Sequence, residues 1–146
     1  MERIKNTQGK ILSVDFGDVR TGLAISDPSR FLASGIGYIS PGGIEKTADA
    51  VSETAIKEKV SAIVVGLPKN MDGSEGSRAN RCKKFASMLE ERTGLPVVMF
   101  DERMTTMTAS RYLNETNTRG AKRKQVIDTL SAQIILQNCL DRLKHM

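Results

Sequence analysis

The 146 residues carry 22 Lys and Arg against 17 Asp and Glu, a formal charge of +5. A chain of this length fits one domain, residues 1–146, able to bury roughly two-thirds of its unfolded surface. Its modest basic excess favours a polyanionic partner without identifying one. No apolar run approaches the roughly 20 residues of a membrane span, and the first residues lack a signal peptide's apolar core. Cys82 and Cys139 are far apart and have no metal-ligand spacing. They read as reduced, helix-packed thiols, and the expected location is the cytoplasm.

Residues 1–9 are polar and are expected as a flexible lead-in. A strand over 10–16 follows, with Leu12, Val14 and Phe16 on one face and Ile11, Ser13 and Asp15 on the other. Gly17 and Gly22 bracket a short polar turn, and a second strand covers 21–26, so the pair reads as a β-hairpin. Asp27-Pro28-Ser29 is a turn signal, and a weaker third strand lies within 34–39. After Pro41-Gly42-Gly43 the apolar period becomes helical (Ile44, Ala48, Val51, Ala55), predicting a helix over about 43–59. Ala62-Ile63-Val64-Val65 is a continuous apolar run suited to a parallel strand covered on both faces.

A glycine-punctuated loop spans 66–76. Cys82, Phe85, Ala86 and Leu89 then mark a second helix, and 96–100 forms another short strand. Thr105 or Thr106 can cap a third helix to about residue 113. Residues 114–120 are polar. The last helix starts within 122–126 and runs to about 143. Three antiparallel strands followed by alternating helices and parallel strands predict an α/β fold with one mixed five-stranded sheet and helices on both faces.

Three acidic residues sit where burial makes a carboxylate awkward. Asp15 lies inside a strand rich in apolar residues. Glu102 follows a strand at its carboxyl end, where open α/β sheets build sites. Asp128 heads a helical stripe through Ala132, Ile135, Cys139 and Leu143. Converging carboxylates repel unless a cation intervenes, and hard oxygen ligands suit Mg²⁺ or Mn²⁺. Such ions can activate water for phosphodiester hydrolysis. Each residue also has a structural alternative: Asp15 can be a solvated turn residue, Glu102 can pair with Arg103, and Asp128 can favour a helix N-terminal dipole. Arg78, Arg81, Lys83, Lys84, Arg119, Lys122, Arg123 and Lys124 form basic clusters that suit nucleic acid or simply a solvated face.

Four blocks together carry a family resemblance: residues 14–22 (Val-Asp-Phe-Gly-Asp-Val-Arg-Thr-Gly), 65–74 (Val-Gly-Leu-Pro-Lys-Asn-Met-Asp-Gly-Ser), 101–106 (Asp-Glu-Arg-Met-Thr-Thr) and 127–132 (Ile-Asp-Thr-Leu-Ser-Ala). In this order they resemble the YqgF family, also called RuvX or Holliday-junction-resolvase-like, over about residues 10–141. The resemblance implies a ribonuclease H-like fold and a nuclease maturing the 5′ end of the small-subunit ribosomal RNA precursor. It places Asp15, Glu102 and Asp128 on the family's acidic metal-binding triad. Arg20, Asn70 and Arg103 are candidates for positioning substrate. Met107-Thr108-Ala109 departs from the acidic residue that many relatives carry before the alanine.

Two further readings stay open. One is a junction resolvase acting on four-way DNA. The other is a non-catalytic RNA-binding factor in ribosome assembly. The expected partners are precursor ribosomal RNA, branched DNA or ribosomal particles, with the chain a monomer or homodimer.

Overall fold

The computed structural model describes residues 1–68, 74–101 and 120–146, with side chains in the last segment from residue 129 onward. In chain order the elements are α1 (Glu2–Lys5), β1 (Ile11–Asp15), β2 (Thr21–Ser26), β3 (Ala33–Ile39), α2 (Ile44–Lys57), β4 (Ala62–Leu67), α3 (Ser77–Thr93), β5 (Val97–Asp101) and α4 (Gly120–Lys144). The five strands form one sheet in the order β3-β2-β1-β4-β5. β1 pairs antiparallel with β2 and β2 antiparallel with β3, while β1 with β4 and β4 with β5 run parallel. This is the mixed sheet expected from the sequence. The helix expected at 105–113 and the polar stretch before α4 lie outside the described residues.

The period of two in β1 divides the molecule into two cores. Leu12, Val14 and Phe16 join Leu23, Ile63, Val65 and Val97 against α2 and α3, where Val51, Phe85 and Leu89 lie buried. Ile11, Ala24, Ala62 and Val64 face the other way, against Ile135, Leu136, Cys139 and Leu140 of α4. All of β4 is buried, which is why it reads as an unbroken apolar run. Fully burying each such aliphatic side chain stabilises the fold by about 1.5–3 kcal/mol. Among the described residues no helix is long and apolar enough to cross a membrane.

The edge strand β3 is irregular. Leu23 pairs with Gly37 but Ala24 with Gly35, so Ile36 is an extra residue without a partner in β2. This is a β-bulge, and from Gly37 onward it exchanges the faces on which successive side chains fall.

Residues 1–9, expected as a flexible lead-in, instead carry α1, whose Ile4 is fully buried in the α4-side core. One side chain organises the segment. The Arg30 guanidinium donates to the carbonyls of Gly9 (2.7 Å) and Ile4 (2.9 Å) and to the hydroxyls of Thr7 (2.7 Å) and Ser61 (3.2 Å). A polar lead-in therefore folds because a cation far along the chain takes up its carbonyls, a signal that hydrophobic periodicity does not contain. Arg30 does this from a left-handed backbone, φ 61°. The preceding Asp27 carboxylate accepts the backbone N–H of Phe31 and Leu32, and the Leu32 bond leads in holding its pKa below the usual carboxylate value.

Replacing Arg30 by Ala is expected to cost about 3 kcal/mol in urea unfolding, because charge-assisted hydrogen bonds to partly buried groups are lost. Arg30→Gly, which suits the positive φ, is expected to cost about 1 kcal/mol less. A second expectation concerns pH. Burial raises the Cys139 thiol from 9.0 to about 11. The folded state thus keeps a proton that the unfolded chain gives up near pH 9, so this contribution is intact below that pH and lost on going from about 9 to 11. The stability of the wild type relative to Cys139→Ala is therefore expected to fall by ~1 kcal/mol by pH 10.

Candidate active site

β1 is covered on both faces until it ends, and its last residue, Asp15, is half-buried. Ile11, Ser13 and Asp15 share the face toward α4. Ser13, with no solvent exposure, donates its hydroxyl to the carbonyl oxygen of Ala132 at 2.9 Å. α4 runs antiparallel to β1. β3 points the same way as β1, and Ala33 at its start is bonded to Gln133 and Gln137 while Gly35, farther along, meets Thr129.

The register then follows from two repeats. Ser13 to Asp15 advances ~6.6 Å along the strand. Ala132 back to Asp128 advances ~6 Å along the helix in the same direction. The backbone of Asp128 is therefore level with Asp15, and one buried hydrogen bond sets that alignment.

Asp15 also sits in a row across the sheet. It pairs with Gly22, which pairs with Tyr38 on β3. On its other side Gly66 follows Val65, the partner of Val14, and Gly66 pairs with Phe100. The row reads Tyr38, Gly22, Asp15, Gly66, Phe100. Both strands beside Asp15 contribute a glycine at its level, so neither crowds the carboxylate with a side chain. Gly22, which brackets the turn, is the second residue of β2, as the 21–26 strand read from the sequence has it.

The connection after β1 is tightly held. Phe16 turns to the opposite face and stacks on Phe85 of α3, ring centroids 4.3 Å apart. A Cβ on Gly17 would lie 2.2 Å from the carbonyl oxygen of Arg20, so the turn admits no side chain there. Arg81 of α3 pairs with Asp18 at 3.2 Å and lies 5.9 Å from the centre of Phe16. Arg78, Lys83 and Lys84 are exposed on the same helix, with Lys83 paired to Glu75.

Of the six residues expected to bind metal or position substrate, Asp15 and Arg20 are described with their side chains, and Asp128 through its backbone. Arg20 follows the turn and its guanidinium lies over the Tyr38 ring, 5.9 Å from the centroid. Glu102 is the residue after Asp101, the last of β5. Glu102, Asn70 and Arg103 lie outside the described residues, as does the Asp128 side chain. Among the described residues no group of three His, Cys, Asp or Glu stands together. Asp15, an oxygen donor at a strand end with glycine on both sides, fits one position of a Mg²⁺ or Mn²⁺ ligand set. Sequence reasoning missed Tyr38. Its face depends on the bulge at Ile36, which simple alternation does not anticipate.

Residues 9–142 match the family described as "RuvX: Holliday junction resolvase". The chain belongs to the RuvX family. Relatives named "Putative pre-16S rRNA nuclease" include one from Listeria innocua, 45% identical over 134 residues (90% of this chain, 97% of the relative). Another, from Pelotomaculum thermopropionicum, is 44% identical over 133 residues (90% and 86%). Among solved structures, Thermus thermophilus RuvC bound to a Holliday junction has TM-score 0.61 at 11% identity, covering 94% of this chain and 97% of that one. Fowlpox virus resolvase with Holliday junction DNA has TM-score 0.52 at 12% identity, covering 90% and 98%. At such identities the likeness is one of fold, and this RuvX-family chain is ribonuclease H-like.

The placement of α4 over the sheet makes one expectation direct. A Cβ on Gly35 would lie 2.6 Å from Cγ2 of Thr129, the residue after Asp128. Gly35→Ala is expected to lose about 1–3 kcal/mol through overpacking. Adding Thr129→Ser, which removes that methyl group, is expected to restore most of the loss in the same denaturation assay.

Proposed function

We propose that this chain is a metal-dependent nuclease that hydrolyses phosphodiesters in structured RNA, maturing the 5′ end of the precursor of 16S ribosomal RNA. The observation that carries the reading is the half-buried Asp15 carboxylate at the end of the central strand, level with the Asp128 backbone and flanked by Gly22 and Gly66. The names of the 40–45% identical relatives support the same substrate.

Asp15, Glu102 and Asp128 would hold one or two Mg²⁺, with Mn²⁺ an alternative. When bound there, such an ion supplies an activated water and charge stabilisation for the leaving oxygen. The chain's own part is to hold three carboxylates at fixed separation and to steer the nucleic acid onto them. Arg20, Asn70 and Arg103 would position the strand near the scissile phosphate. Arg78, Arg81 and Lys84 of α3 would attract the backbone by charge, a contribution that weakens as salt rises. The work would take place in the cytoplasm, on free precursor RNA or on ribosomal particles.

A second reading, cleavage of four-way DNA junctions, is favoured by the family's description and by the fold shared with two resolvases. Paired cuts across a junction would call for a homodimer, whereas trimming one RNA end is work for a monomer.

Both readings are tested by incubating wild type and Asp15→Asn with precursor ribosomal RNA and with a four-way DNA junction, in Mg²⁺ at matched salt. The expected outcome is RNA cleavage by the wild type at a mapped 5′ position, reduced about a hundredfold or more in Asp15→Asn, with an unchanged thermal transition. Full activity in Asp15→Asn would remove the mechanism. Junction cleavage in place of RNA cleavage would select the resolvase. Tight RNA binding without hydrolysis would instead indicate an assembly factor.

A further inference from the structure

The row that contains Asp15 ends in two aromatic residues, and they differ in their surroundings. Phe100 packs against the α4-side core. Tyr38 is 37% exposed on the edge strand, on the same sheet face as Asp15 because each pairs with Gly22. Two strand spacings separate them, ~10 Å. The residue between is glycine, so no side chain on β2 stands in that interval. The Arg20 guanidinium lies over the ring, 5.9 Å from its centroid, and adds positive charge next to the aromatic surface.

We infer that Tyr38 is a stacking platform for an unpaired nucleobase of the RNA strand whose phosphodiester is held at Asp15, with Arg20 beside it contacting the intervening phosphate. The inference rests on the nuclease reading for the identity of the ligand, and it adds a strand preference to it. A ~10 Å interval corresponds to about one or two nucleotides of an extended strand. An exposed aromatic ring can receive any base, since every base has a π-face. A base inside a duplex cannot use it, because both its faces are already stacked. The platform therefore selects single-stranded or splayed RNA next to the cut. Exposed tyrosines on edge strands are common. What distinguishes this one is the combination of a shared row with the carboxylate, a glycine gap and an adjacent cation.

The test measures binding apart from cleavage. In an Asp15→Asn background, short single-stranded RNAs carrying 2-aminopurine at successive positions are titrated with protein containing Tyr38, Tyr38→Phe or Tyr38→Leu. Leucine keeps an apolar side chain at the edge and removes the ring, and a circular-dichroism melt verifies that each variant is folded. The expected result is quenching of the fluorophore at one or two positions with Tyr38 and with Tyr38→Phe. Tyr38→Leu is expected to lose that quench and to bind about tenfold more weakly. A fully paired duplex of the same sequence is expected to bind all three equally.

Unchanged affinity and quenching in Tyr38→Leu would overturn the platform. So would a loss in Tyr38→Phe as large as that in Tyr38→Leu, which would assign the effect to the hydroxyl. If the wild type cleaves no RNA while the Tyr38-dependent quench persists, the platform stands and the nuclease reading alone falls.

Discussion

β1 is a strand without a solvent face. α2 and α3 cover one side of it and α4 the other, so along Ile11 to Val14 an ionised group would be stranded in apolar surroundings. The first position at which a carboxylate becomes tolerable is the strand's end. Asp15 occupies that position, half-buried. Burial of the central strand thus determines both where an acid can stand and which direction it faces. Ser13, the one polar residue before Asp15, is admitted because its hydroxyl reaches the Ala132 carbonyl, and the same bond fixes how far α4 slides along the sheet. Packing and site placement are here the same interaction.

Much of this was legible in the residues. The alternation of Ile11 to Phe16 assigned faces correctly, and the unbroken run of β4 announced a strand covered on both sides. The stripe from Ala132 through Ile135 and Cys139 identified the buried side of α4. What was not legible depends on partners distant in sequence. The order of α1 depends on Arg30, whose guanidinium gathers carbonyls and hydroxyls from Ile4 to Ser61. The position of Gly22 opposite Asp15 follows from hairpin register, which the bounds of the two strands do not by themselves fix. Tyr38 lay beyond reach because a bulge disrupts the period on which strand reasoning relies.

Fold likeness and site chemistry carry separate weight. The resolvase structures share the architecture at 11–12% identity. A shared architecture hosts many chemistries, so function has to be argued from the residues at the site. Here those residues come from distant segments, and the scaffold brings the described ones to one end of the sheet. The Phe16–Phe85 stack and the Arg81–Asp18 pair tie the turn after Asp15 to α3. A cationic helix is thereby fixed next to the end of the central strand, and the packing of an aromatic pair contributes to the electrostatics of the site.

The bulge at Ile36 has a consequence of its own. Before it, Ala33 and Gly35 fall on the α4 face; after it, Gly37 and Ile39 fall on the other, and Tyr38 returns to the first. Ile36 acts as a phase shift of half a period within a single strand. Removing that residue would restore unbroken alternation and leave Tyr38 opposite Gly22, whereas pairing Ile36 in place without the bulge would carry the tyrosine to the far side of the sheet. Whether one residue of an edge strand is bulged out or paired is thus a discrete switch of surface chemistry rather than a small perturbation. The extra residue lets the two ends of β3 keep their partners while the strand between them bends.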